Sequence, residues 1–137
     1  MPSNANNAMP GNRYFLDTNA LVALLQGHQG LIDAVESADW VGLSVVTVLE
    51  FLGFAGLSEA DRELFDAFVK RVSVLDLAAG NTELIAKTLS LRTGRHLKLP
   101  DAIIAASAIT SAAILLTNDQ QLLKLSDSEN QLQRQAF

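Results

Sequence analysis

Cysteine is absent from the 137-residue chain, and histidine occurs only at His28 and His96. The missing thiols exclude disulfides, thiolate metal sites and cysteine nucleophiles. The two imidazoles lie far apart in sequence, so the paired-histidine spacing of zinc enzymes is missing as well. Any metal ion bound here would be held by oxygen. No apolar run reaches the roughly 18 to 20 residues that a membrane span requires. The opening stretch MPSNANNAMPGN has no apolar signal core. These absences predict no membrane association and a cytoplasmic location. Positive charge is also in short supply, with 10 Lys and Arg against 15 Asp and Glu and a formal net charge of -5. A passive nucleic-acid coat needs clustered cations and is disfavoured. An enzyme acting on nucleic acid is not, because its acids can be gathered in the site itself.

Hydrophobic residues make up 49% of the chain and charged residues 18%, a balance that suits one compact domain. A chain of this length can bury roughly two-thirds of the surface its unfolded form exposes, so it needs no disulfide or structural zinc. The polar, proline-punctuated residues 1–12 are expected to lie outside the fold, as a leader. Residues 13–125 are read as a single domain, and residues 126–137 as a C-terminal tail or a last strand.

Strand and helix patterns alternate along the chain. RYFL (Arg13 to Leu16) reads as a strand that stops at Asp17-Thr18-Asn19, residue types that favour helix N-caps. ALVALLQ and LIDAVESA follow with helical spacing. WVGLS (Trp40 to Ser44) reads as a second strand, and VVTVLEFLGFAG as a buried helix stopped by Gly56. Ser58 opens a further helix with acids in its first turn, and Lys70-Arg71 closes it, as the helix dipole prefers. VSVL (Val72 to Leu75) is a third strand, Asn81 to Thr93 a helix capped by Gly94, DAIIAASAI a small-residue helix, and AILL (Ala113 to Leu116) a fourth strand. The alternation predicts an α/β domain with a mainly parallel sheet of four to five strands.

Most of the acids fall where solvent-facing helix residues would. Asp17, Glu50, Asp101 and Asp119 do not. Asp17 closes the first strand and Asp119 follows the fourth. In an open parallel sheet both would emerge at the carboxyl ends of strands, where ligands bind. Either is equally well explained as a helix N-cap, and Asp101, just after Pro100, as a favourable charge at a helix N-terminus. Glu50 resists such an explanation. Its helical neighbours Val46, Thr47, Gly53 and Phe54 carry no positive charge, and a buried carboxylate without a partner is costly. If the four carboxylates converge, each like-charged pair at about 4 Å repels by roughly 4 kcal/mol at an effective dielectric near 20. A divalent cation relieves that repulsion, and hard oxygen donors select Mg²⁺ or Mn²⁺. Phosphodiester hydrolysis is the chemistry such an ion supports.

FLDTNAL (Phe15 to Leu21), TVLEF (Thr47 to Phe51), LPDAIIAAS (Leu99 to Ser107) and LLTND (Leu115 to Asp119) occur in that order. Together, across Tyr14 to about Leu125, they resemble the PIN domain family, in particular the VapC-like ribonuclease toxins of type II toxin-antitoxin modules. The resemblance implies a three-layer α/β/α domain and a metal-dependent endoribonuclease. It assigns Asp17, Glu50, Asp101 and Asp119 to an acidic Mg²⁺/Mn²⁺ site, with Asp17 and Asp101 as direct ligands and Asn19 and Thr117 as supporting polar groups. It also implies an RNA substrate, a cognate antitoxin and a homodimer.

Arg92, Arg95 and Lys98 precede Asp101 closely and are candidates for RNA phosphate contacts, or else for a solvated helix end. The aromatic residues fit a hydrophobic core, with Phe51, Phe54 and Phe65 as candidate exceptions suited to a stacking or docking surface. Two other classes of function compete with the nuclease: a catalytically inactive PIN-like binding scaffold, and a phosphate-accepting receiver domain with Asp76 as acceptor. The receiver lacks an adjacent acid pair after its first strand and a lysine after its last.

Overall fold

A computed structural model describes residues 12–125 and 132–137. The expected leader therefore lies, but for Asn12, outside the described residues, as does the first half of the expected tail. Five strands form one all-parallel sheet: β1 (Arg13–Leu16), β2 (Trp40–Ser44), β3 (Ser73–Leu75), β4 (Ile114–Leu116) and β5 (Arg134–Gln135). Their order is β3-β2-β1-β4-β5. The chain winds outward from β1 in one direction and then restarts at β4 on its other side. A topological switch point thus lies between β1 and β4.

Seven helices among the described residues flank the sheet: α1 (Thr18–Leu25), α2 (Gln29–Ser37), α3 (Val45–Leu52), α4 (Glu59–Val69), α5 (Thr82–Arg95), α6 (Leu99–Thr110) and α7 (Gln120–Leu123). The period of two along each strand divides the core. Leu16, Leu43 and Leu116 point to one face, where Leu21, Leu31, Phe51 and Phe65 cover them. Phe15 and Leu115 point to the other face, against Leu84, Leu91, Ile104 and Ala105. The architecture is the expected three-layer α/β/α. Helix α6 lies so close to its neighbours that every residue from Ala102 to Ala108 is buried, which its run of alanines permits. Gly42 is required in β2 because a Cβ there would stand 2.3 Å from the Trp40 ring and 3.0 Å from that of Phe15. These two rings stack, and the Arg13 guanidinium covers the outer one at 4.3 Å.

Local signals explain most boundaries. Ser58 and Asp61 form a reciprocal capping box at the start of α4, and Asp17, Ser44, Asn81 and Asp119 cap their helices through side-chain oxygens. Two helices do not end where their glycines predict. Helix α5 runs through Gly94 to Arg95 and is ended by His96, which adopts the left-handed conformation at φ 58°. Helix α3 ends at Leu52 with Gly53 as its cap, short of Gly56, and it is buried on one face only. Its Leu49 is 67% exposed and its Glu50 is also exposed. The last strand does form, two residues long. Arg134 anchors it by donating from its guanidinium to the carbonyls of Leu132, Leu123 and Leu125.

Candidate functional site

Each of the four acids is delivered by a different element. Asp17 is the first residue beyond β1 and caps α1, its Oδ1 accepting from the Ala20 N–H at 2.8 Å. Asp119 follows β4 and caps α7, its Oδ1 accepting from the Gln121 N–H at 2.8 Å. Asp101 sits in the first turn of α6, and Glu50 in α3, the helix that leaves β2. All four line one open pocket of about 460 Å³ beside the carboxyl ends of β1 and β4. The switch point of the sheet explains this convergence, because helices departing to opposite sides leave a crevice there.

The expected supporting residues divide. Asn19 lines the pocket. Thr117 is fully buried behind it, where its hydroxyl oxygen accepts from the Asp119 N–H at 3.0 Å and its side chain hydrogen-bonds the Asp17 carboxylate. Thr117 thus ties two of the acids together. Thr18 holds Glu50 alone. Its hydroxyl lies in hydrogen-bond contact with Glu50 Oε1 and stands 3.3 Å from the Thr47 hydroxyl. Thr18, Leu49, Gly53 and Ile104 complete the wall and were not singled out as site residues from the sequence, and Phe54, one of the three aromatic candidates for a stacking or docking surface, joins them. The adjacency of Thr18 to Asp17 was the available clue. Arg92, Arg95 and Lys98 do not line the pocket. Of the three, Lys98 acts on it electrostatically, through Asp101.

Burial pushes the Asp17 carboxyl above the ordinary aspartate value. Hydrogen bonds from Thr117 and Ala20 oppose this, and the charges of Asp119 and Glu50 reinforce it. Asp101 is pushed the same way by burial, then by Asp119, Glu50 and Asp17, with Lys98 as the opposing charge. Asp17 and Asp101 therefore both feel the charges of Asp119 and Glu50. Among the described residues, no three His, Cys, Asp or Glu side chains form a group that could hold a metal ion unaided. The donor set nonetheless fits Mg²⁺ or Mn²⁺. Mg²⁺ takes one or two carboxylates directly and keeps several waters, and an open pocket of hard, electrostatically crowded oxygens meets that demand.

Phe51 and Phe65 belong to the core, with rings stacked 4.6 Å apart, whereas Phe54 is 46% exposed. An apolar cavity of about 240 Å³ lies beside Phe54, lined by Val22, Leu25, Phe51 and Leu57 among others. No helix among the described residues is long and apolar enough to cross a membrane.

No curated protein matches the chain in sequence. Solved structures do match the fold. A chain of VapBC2 from Rickettsia felis, bound to a promoter DNA fragment, superposes with a TM-score of 0.74 at 20% identity, covering 91% of this chain and 98% of that one. A chain of DNA-bound VapBC from Salmonella typhimurium gives 0.71 at 17% identity, with coverage of 91% and 98%. One from VapBC-1 of nontypeable Haemophilus influenzae gives 0.64 at 24%, with coverage of 90% and 97%. The family model for the PIN domain matches residues 14–127, from the first strand past the last of the four acids, and the chain belongs to the PIN domain family.

Proposed function

We propose that the chain is a divalent-metal-dependent endoribonuclease, the toxin of a toxin-antitoxin pair, which hydrolyses RNA phosphodiester bonds in the cytoplasm. One observation carries the reading: Asp17, Glu50, Asp101 and Asp119 share a pocket at the switch point of a parallel sheet, where burial and then the neighbouring charges raise the pKa of Asp17 and Asp101. PIN domains are typically nucleases, which supports it further.

Asp17 and Asp101 would hold Mg²⁺ or Mn²⁺ directly, with Glu50 and Asp119 completing the acidic set. Once bound, such an ion lowers the pKa of water and stabilises charge on a phosphoryl oxygen. The remaining roles belong to the chain. Thr117 holds the Asp17 carboxylate in place from behind, and Thr18 orients Glu50 from α1. Asn19 offers an exposed amide at the lip of the pocket. Lys98, with Arg92 and Arg95 on the preceding helix end, would hold substrate phosphates that approach past Asp101. The VapBC complexes among the structural neighbours support a cognate antitoxin as partner, and a homodimer is the assembly proposed.

The test is cleavage of a mixed RNA pool by the wild type and by Asp101→Asn, in Mn²⁺ and in chelator. Cleavage that requires Mn²⁺ and disappears in the variant, with the circular dichroism spectrum retained, is the expected result. RNA binding without metal-dependent cleavage would instead favour the inactive scaffold.

A further inference from the structure

The pocket that gathers four acids has no Lys or Arg among its lining residues. A polyanion approaching it gains nothing from the electrostatic attraction that dominates most nucleic-acid binding, and outside the immediate reach of a metal ion it is repelled. The cations proposed to hold substrate phosphates lie outside its lining, so affinity for a nucleic-acid strand at this spot also calls for contacts that do not depend on charge. The same wall supplies one. Phe54 lines the pocket together with the carboxylates, and among the described residues it is the one aromatic side chain counted with the large exposed hydrophobics.

Its ring is exposed without being loose. It meets the Phe51 ring edge-on at 6.0 Å and 65°, and Phe51, 4% exposed, is stacked in turn on buried Phe65. The backbone is tied to the end of α3, where the Phe54 N–H donates to the Phe51 carbonyl at 3.2 Å and the Gly53 N–H to the Leu49 carbonyl at 3.0 Å. A ring held in this way loses little freedom when a second flat surface is laid on it.

We infer that Phe54 is a stacking platform for the nucleobase next to the phosphate positioned over the carboxylates. The inference rests on the nuclease reading and adds to it a positioning residue that an unpaired base, as in a loop, bulge or end, can reach. In a duplex the bases are already stacked on one another, whereas an unpaired base can turn out onto an aromatic ring. Stacking accepts every base, because each has a π-face, so Phe54 contributes affinity and placement with little sequence discrimination.

The experiment measures binding of fluorescein-labelled octaadenylate, and of an abasic ribose-phosphate octamer of the same length, by anisotropy in Mg²⁺. Wild type, Phe54→Ala and Phe54→Trp are compared, and gels run after each titration confirm intact probe. Phe54→Ala should weaken octaadenylate binding about 5- to 100-fold. Phe54→Trp should restore it, and the abasic octamer should bind all three proteins alike. Equal octaadenylate affinity for wild type and Phe54→Ala overturns the inference and leaves the ring to docking of a protein partner. So does a wild type that binds neither probe, or a loss that extends to the abasic octamer. Phe54-dependent binding of an RNA that is never cut in Mn²⁺ would refute the nuclease reading alone. Cleavage with a KM indifferent to Phe54→Ala would refute stacking alone.

Discussion

Asp17 has two tasks that a pair of substitutions separates. Its Oδ1 caps α1 through the Ala20 N–H, and its charge lies in the acid pocket at 6% exposure. Asparagine keeps the cap and removes the charge, because Asn and Asp cap helices about equally well. Alanine removes both. Loss of an N-cap costs about 1 kcal/mol, which for a domain of this size is roughly 3 to 5 °C in Tm. In chelator, Asp17→Asn should therefore melt about 3 to 5 °C above Asp17→Ala. The wild type should melt below Asp17→Asn at neutral pH. Its raised pKa means that the native state binds the proton more tightly than the unfolded state does. Ionisation therefore costs stability, and the penalty grows as the pH rises from the unfolded value through the raised one. Mn²⁺ should reverse the order. A site filled at 100 times its dissociation constant gains about 2.7 kcal/mol, roughly 10 °C, and only the wild type has the carboxylate to take it. Differential scanning fluorimetry over a Mn²⁺ series measures all three proteins. An Asp17→Asn variant that keeps the full Mn²⁺ shift, or a metal-free wild type that melts above it, would refute the reasoning.

Thr117→Val keeps the shape of the side chain but deletes the hydroxyl shared by Asp17 and the Asp119 N–H. The Asp17 pKa should rise further, so the acid limb of Mn²⁺ binding moves to higher pH, and an unmoved limb in a calorimetric pH series would count against this role. Gly42→Ala would drive a methyl into the Trp40 and Phe15 rings and should destabilise by about 1 to 3 kcal/mol. The chain has a single tryptophan, so near-ultraviolet circular dichroism reports the displacement directly, and an unchanged spectrum at wild-type stability would refute it. Phe65→Ala should cost about 3 to 5 kcal/mol in urea unfolding and, by removing support from Phe51, loosen Phe54 at the pocket. A cost below about 1 kcal/mol would place Phe65 outside the core.

The sequence disclosed what depends on short-range rules. A strand followed at once by Asp, and another followed by Thr-Asn-Asp, placed Asp17 and Asp119 at the carboxyl ends of β1 and β4, and parallel pairing of those strands brings them together. Glu50 was legible as an anomaly in an apolar helix. The anomaly was resolved by exposure, since α3 turns only one face to the core and presents Leu49 and Glu50 to the pocket. Other features depend on partners distant in sequence and left no local signal. The two residues of β5 are too few to show a period, and pairing with β4 defines them as a strand. The end of α5 was misplaced because Gly94 is a favourable cap by type, while the left-handed position fell to His96, two residues later. Phe54 carried the same apolar signal as Phe51 and Phe65. Which of the three stays outside the core depends on where α3 stops.

The capping explanation of these acids and the proposed chemical one are compatible, because one carboxylate can serve both. Asp17 and Asp119 cap helices, and Asp101 lies in the first turn of another. Each carboxylate thus sits against the positive end of a helix dipole or its unpaired N–H groups. Gathering like charges in a partly desolvated pocket costs stability, and helix N-termini are the backbone's own means of offsetting it without adding a cation to the lining. Their partial charges are fixed in place and do not neutralise the acids as a buried lysine would. Asp17 and Asp101 accordingly keep raised pKa values after these contributions. A divalent ion bound here would have the opposite effect, favouring the ionised form of the carboxylates that hold it. The capping hydrogen bonds let the metal-free domain tolerate the cluster, and the repulsion they leave uncancelled is what metal binding would relieve.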